Sequence, residues 1–149
     1  MDEPPAASAA QALAERAAGA LLARDRASQA LGMRLAAVAP GWARVLMRVR
    51  GDMVNGHGLC HGGIVFALAD SAFAFACNSY NDCTVAAAVS IDYLAPAREG
   101  DELTAEASEL WRGGRGGLYE LVVSNQRGER IALARGRSQR IEGKILNPE

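Results

Sequence analysis

The sequence predicts an α+β domain in which an antiparallel sheet packs around one long buried helix. Three observations carry this. Residues 62–79 are apolar on every side, the pattern of a helix buried in a core. Four strand-like segments then follow without a helix between them, and such runs pair antiparallel through hairpins. Two shorter strand-like segments and one further helix precede the apolar helix. A sheet that curls around a single helix buries all of these faces at once.

Residues 1–7 read as a frayed start, and Ser8 with Gln11 has the spacing of a helix capping box. Leu13, Ala17, Ala20 and Leu21 then recur at helical spacing, with Glu15, Arg16 and Arg24 elsewhere. This predicts a helix over 8–25, and Gly32 closes the segment after it. Met33, Leu35 and Ala37 alternate with Arg34 and Ala36, Pro40-Gly41 signals a turn, and Val45, Met47 and Val49 alternate with arginines. That is a pair of short strands, the second half-buried. Residues 51–63, GDMVNGHGLCHGG, are a loop by composition, with five glycines and two histidines. The buried helix spans 62–79. Strands are expected over 84–94, with Val85, Ala87, Val89, Ile91 and Tyr93 on one face, and over 103–111, 117–125 and 130–141. Residues 143–149 read as a frayed tail. Without repeats or linkers, residues 1–149 form one domain, its core over about 25–142.

Composition excludes several classes of function. Half of the 149 residues are hydrophobic, 22% are charged, and the formal net charge is −1. There is no basic footprint for nucleic acid, and 5% aromatics cannot build rows of base-stacking platforms. No apolar stretch reaches the ~20 residues of a membrane span. Neither a nucleic acid nor a membrane is therefore expected as a partner. Cys60, Cys77 and Cys83 are too few and odd in number for a disulfide framework. With an acidic start, Met-Asp-Glu-Pro-Pro, they point to the cytoplasm.

Asp70 is the one charged residue between Gly62 and Ser79. A carboxylate on a buried helix is costly unless it is satisfied or used. One reading is a structural carboxylate bonded to a hydroxyl such as Ser71; the other is a working base. His61-Gly62-Gly63 enters the same helix, and glycines there expose N–H groups to an anion or a developing oxyanion. A plain glycine turn is the alternative. His57, Cys60 and His61 have poor spacing for a metal, and no metal or cofactor is expected. Nor does the chain hold a dinucleotide fingerprint, a nucleophile elbow or a phosphate-binding loop. Arg112, Arg115, Arg135 and Arg137 are ordinary solvated residues or phosphate contacts. Phe66, Phe73, Phe75 and Tyr80 are core residues or an aryl pocket.

The run 54–63, VNGHGLCHGG, with Leu68-Ala69-Asp70 and Ala76-Cys77-Asn78, resembles the hotdog-fold acyl-CoA thioesterases, and within them the phenylacetate-degradation (PaaI) branch. Segments 90–94 and 100–107 resemble that branch too. The resemblance implies a hotdog fold and hydrolysis of an aryl-acyl-CoA, such as phenylacetyl-CoA or hydroxyphenylacetyl-CoA. It makes Asp70 general base or nucleophile, and Gly62 the residue whose N–H polarises the thioester carbonyl. Asn55 then positions water or substrate, and His61 is supportive. Relatives with a hydroxyl one turn after the carboxylate would have it at Ala74, where this chain has none. The resemblance further implies a homodimer as the minimal active unit and a homotetramer beyond it. Geometry agrees: Gly62 and Asp70 lie roughly 12 Å apart along one helix, so one straight helix cannot bring both to one carbonyl. The same parts allow two other readings, a hydratase or dehydratase using His57 or His61 with Asp70, and a non-catalytic acyl-CoA binder.

Overall fold

The computed structural model describes residues 6–146, with side chains from residue 9 onward. In chain order the elements are α1 (Ala6–Arg24), α2 (Arg26–Ala30), β1 (Arg34–Ala39), β2 (Trp42–Arg48), a 3-10 turn (Gly51–Met53), α3 (Gly62–Cys77), β3 (Asp82–Tyr93), β4 (Glu102–Gly113), β5 (Gly116–Ser124) and β6 (Arg130–Lys144). The six strands form one sheet in the order β1-β2-β4-β5-β6-β3. Every neighbouring pair is antiparallel.

α3 touches all six strands, from one edge of the sheet to the other. A helix contacts both edges only when the sheet curves around it, as the sequence predicts. Phe73, Phe75 and Leu68 of α3 share one core with Val45, Met47, Leu103, Leu121 and Ile131 of the strands, interleaved with alanines such as Ala43, Ala105 and Ala107. At Gly136 the close approach is explicit: a Cβ there would stand 2.4 Å from the Phe73 ring. Tyr119 tilts against the same ring, with centroids 5.3 Å apart. Pro40 and Gly41 connect β1 to β2, and Gly41 takes φ +73°, the positive value required of the second central residue in a type II turn.

The structure corrects several expectations. α3 ends at Cys77 rather than Ser79 because Asn78 and Ser79 leave the helix to staple it down. The Asn78 side chain donates to Ala74 O and Thr84 O and accepts from Thr84 N. Ser79 Oγ donates to Ala76 O and accepts from Gly41 N. α1 already begins at Ala6, two residues before Ser8. The Ser8 side chain, and so the expected capping box, lies outside the described residues, while Gln11 donates to Val38 O and Glu15. The short α2, capped by Asp25, was not foreseen. The expected single face of β3 is broken by a bulge between Ala86 and Ala88. Val89 and Ile91 pack on the core, while Val85, Ala87 and Tyr93 are exposed. A similar bulge in β1, between Leu35 and Ala37, makes Val38 the buried residue. The expected frayed tail is ordered through residue 146: β6 runs to Lys144, Ile145 is buried, and Ile145 N and Leu146 N bond to Asn81.

Candidate active site

The glycine-rich segment before α3 is held in a specific shape by its own backbone. Val54 and Cys60 form an isolated antiparallel bridge. Asn55 N donates to Leu59 O, and Gly58 N to Asn55 O. Asn55 Oδ1 accepts from His57 N at 2.9 Å and Leu59 N at 3.2 Å. That leaves the amide nitrogen of Asn55 without a partner among the described residues. Cys60 N donates to Ala97 O and His61 N to Met53 O, which pins the segment to the β3–β4 loop and the 3-10 turn.

His61 caps α3. Its Nδ1 accepts from Gly63 N at 2.9 Å, and its carbonyl accepts from Ile64 N and Val65 N. An Nδ1 that accepts carries no proton, so this nitrogen is not the acid of a hydratase. Three of the first four N–H groups of the helix are thereby paired. Gly62 N–H is the one with no partner among the described residues, an unsatisfied donor at the positive end of a 16-residue helix. The Gly62 carbonyl accepts from Tyr93 OH at 2.7 Å, and a Cβ at Gly62 would meet the Tyr93 ring at 3.2 Å. Gly62, Asn55, Tyr93, Leu59, Val65 and Ile131 border a cavity of about 420 Å³.

Asp70 opens into a different cavity, of about 340 Å³, lined by Leu21, Phe73, Ala74 and Val85, with Arg24 and Asp25 also on its wall. Burial raises the Asp70 carboxyl above the ordinary carboxylate value, and the like charge of Asp25 adds to the effect. Both causes disfavour the anion and strengthen it as a base. Ser71 does not serve Asp70: its hydroxyl bonds to Ser28 Oγ at 2.8 Å. Of the aromatic residues considered from the sequence, Phe73 lines the Asp70 cavity, Phe75 is core, and Tyr80 donates to Glu109 under the Arg112 guanidinium. The buried thiols are poor nucleophiles: burial raises Cys60 and pushes Cys77 up to about 12.

The four arginines do not gather. Arg112 lies 3.6 Å from Asp82 and stacks on Tyr80, while Arg115 shares a narrow cleft with Arg112 and Arg140. Arg135 and Arg137 are exposed side by side on β6, next to β3. Sequence reasoning missed Asp25, Arg24, Leu21 and Tyr93. Asp25 had a usable signal, since an Asp three residues before Ser28 has helix-cap spacing. Tyr93 had none beyond its place in a strand.

Comparison with known proteins follows the same lines. Residues 57–132 match the family model of the Thioesterase superfamily. The chain is 44% identical over 128 residues to the acyl-coenzyme A thioesterase PaaI of Escherichia coli K12, covering 86% of this chain and 91% of that protein. The solved structure of the E. coli PaaI protein superposes with a TM-score of 0.89 over 90% of this chain and 97% of that one, at 42% identity. A Streptococcus mutans UA159 structure bound to acetyl CoA matches with a TM-score of 0.72 at 25% identity, over 75% of this chain and 90% of that one. The curved sheet around one long helix is thus shared with a thioesterase: the chain belongs to the Thioesterase superfamily, as a hotdog-fold thioesterase of the PaaI type.

Proposed function

We propose that the protein hydrolyses aryl-acyl-CoA thioesters such as phenylacetyl-CoA or hydroxyphenylacetyl-CoA to the free acid and CoA, at a site shared between two copies of the chain. One observation carries this: Asp70 and Gly62 sit on one helix yet open into separate cavities. Each protomer therefore holds two half-sites. β3 supports the way they join. It is an edge strand of 12 residues with exposed Val85, Ala87 and Tyr93, followed by exposed Leu94, an edge suited to pairing with another chain. Its start, Thr84 to Ala86, borders the Asp70 cavity, and its end, Tyr93, borders the Gly62 cavity. Two such edges paired antiparallel about a two-fold axis near Val89 set the start of one strand beside the end of the other. The Asp70 cavity of each copy then meets the Gly62 cavity of its partner, and the isologous dimer has two equivalent sites. Pairing of dimers gives the tetramer.

In such a site Gly62 N–H donates to the thioester oxygen, and Asp70 takes a proton from the attacking water. Water oxygen bonds to the carbonyl carbon, the C–S bond breaks, and the proton passes to the departing CoA sulfur. A thioester carbonyl has little resonance stabilisation, so a base and one oxyanion donor suffice. A donor of this kind contributes ~3–4 kcal/mol in favourable cases. Asn55, with its amide nitrogen free, positions water or substrate, and His61 holds the helix start in shape. Leu21, Phe73 and Val85 give the acyl group an apolar wall. At least one of Arg112, Arg115, Arg135 and Arg137 binds the CoA phosphates. The three free cysteines support a cytoplasmic setting.

Incubation with phenylacetyl-CoA and a thiol reagent tests this. Wild-type protein is expected to release free CoA, and Asp70→Asn to release almost none. A hydratase or a mere binder releases none in either form, and that result ends the proposal. A panel of acyl-CoAs then ranks the acyl groups.

A further inference from the structure

Asp25 stands in the cavity of Asp70 without any part in the reaction described above. It joins α1 to α2 and caps the latter: Oδ1 accepts from Ser28 N at 2.9 Å, and Oδ2 accepts from Ser28 Oγ at 2.6 Å. Because the Ser28 hydroxyl hydrogen goes to Asp25, Ser71 must donate to Ser28 Oγ across the 2.8 Å gap between them. Ser28 is 2% exposed, so the middle of this chain is out of water, while Asp25 and Ser71 at its ends are half-buried. Ser71 is the next residue after Asp70 on α3. The chain Asp25–Ser28–Ser71 therefore ties one carboxylate to the helical turn that presents the other.

A cap alone does not require this arrangement. Asparagine caps a helix as well as aspartate does, and one carboxylate beside another is a cost that proteins avoid unless it serves the chemistry. We propose that Asp25 is a positioning residue for Asp70: held by Ser28 and Ser71, it keeps a second negative charge on the Asp70 cavity and so tunes Asp70 as a base. This rests on Asp70 being the base. The other groups that border the cavity do not cancel the effect. Arg24 from α1 keeps its charge, but its guanidinium is bound to Ala20 O and Ile145 O, and burial and Asp25 are what act on Asp70. Cys77 of α3 is a neutral thiol, and β3 offers only Thr84, Val85 and Ala86. In the paired arrangement, the titratable groups of the second copy's residues 51–63 are His57, Cys60, His61 and Asp52. They act alike in wild type and variant, so the comparison below isolates Asp25.

The test is the titration of the Asp70 carboxyl carbon by NMR in the assembled wild type and in Asp25→Asn, with kcat/KM followed over the same pH range. Removing the Asp25 charge is expected to move the Asp70 midpoint down by about half a pH unit or more. The acid limb of kcat/KM moves with it, while Asp25→Glu restores both. Ser71→Ala, which cuts the tie and keeps both carboxylates, is expected to move the midpoint the same way by less, and it decides the matter if Asp25→Asn does not fold. An Asp70 midpoint unmoved in every folded variant overturns the proposal. A midpoint that moves while the activity limb stays fixed supports the Asp25 coupling and instead overturns Asp70 as the base.

Discussion

The two cavities bordered by α3 are built by different means. The one at Gly62 has a local donor side: the turns, bridge and cap of residues 51–63 present Asn55 and Gly62, while Val65, residues 93–97 and Ile131 supply its other walls. The one at Asp70 is mostly tertiary: the base comes from α3, the apolar wall from α1 and β3, and the neighbouring charge from the α1–α2 junction. An oxyanion donor needs only an unpaired N–H at a fixed point, which a short glycine-rich loop can supply. A raised carboxylate needs an apolar surrounding and a like charge, which only distant parts of the chain can supply. In the proposed site, the donor side is thus written in one stretch of sequence and the base side is spread over the fold.

The largest expected effect tests the base side. Asp70→Asn should keep the fold and lower kcat by at least ~10²-fold. A wild-type rate in the purified variant would show that Asp70 is not the base. The same variant has a pH signature in stability. The folded-state pKa of Asp70 is raised, so its ionised form opposes folding. That penalty is complete above the folded pKa and disappears below the ordinary carboxylate value. Asp70→Asn should therefore melt at a higher temperature than wild type at pH 8, with the difference shrinking toward pH 3. A constant difference across that range breaks the link between burial and basicity.

Gly62→Pro tests the donor side. It deletes the N–H at the first helical position, where proline is well tolerated. His61 already holds the extended ψ of 132° that a residue before proline favours. A fall of about 10²-fold in kcat without loss of helix content is expected. Gly62→Ala keeps the N–H and only presses on the exposed Tyr93 ring, so a similar fall there would assign the effect to space rather than to the hydrogen bond.

A stability change should separate the two cavities further. Gly136 admits the Phe73 ring, and Phe73 lines only the Asp70 cavity. Gly136→Ala is expected to cost about 1–3 kcal/mol in urea unfolding. An unchanged midpoint would mean that the ring shifts freely and that this cavity is not tightly packed. The smallest effects belong to the phosphate end of the substrate. Single Ala variants of Arg112, Arg115, Arg135 and Arg137 should include at least one with a KM raised several-fold and kcat nearly unchanged, the mark of lost uniform binding. Four unaltered KM values would remove these arginines from the site.

The same contrast explains what could be read from the chain. The apolar run of α3, the Pro40-Gly41 turn and the succession of strands along the chain were legible because each is a local pattern; the pairing of β2 with β4 and of β3 with β6 was not. Asp70 and Gly62 were legible as an unexplained charge and an unusual helix start. The β3 face was not, because Val85 to Ala88 are all exposed and a bulge falls between Ala86 and Ala88, and nothing in five apolar residues marks where it falls. Nor was the company kept by Arg112: Asp82, some thirty residues before it, draws Arg112, Arg140 and Lys144 together. Asp25 was hidden for the same reason. Its cap to Ser28 is local, but its place beside Asp70 depends on how α1 and α2 settle on α3.

The shared site is the central claim, and subunit complementation tests it most directly. Asp70→Asn and Gly62→Pro proteins, each inactive and folded, are mixed in equal amounts under conditions that exchange subunits, with exchange followed by mass. A mixed dimer has one site carrying both lesions and one carrying neither. Random exchange makes half of the dimers mixed, so activity should return to roughly a quarter of the wild-type value. If mixed dimers form and no activity returns, each protomer works with its own Asp70 and Gly62 and the shared site is wrong.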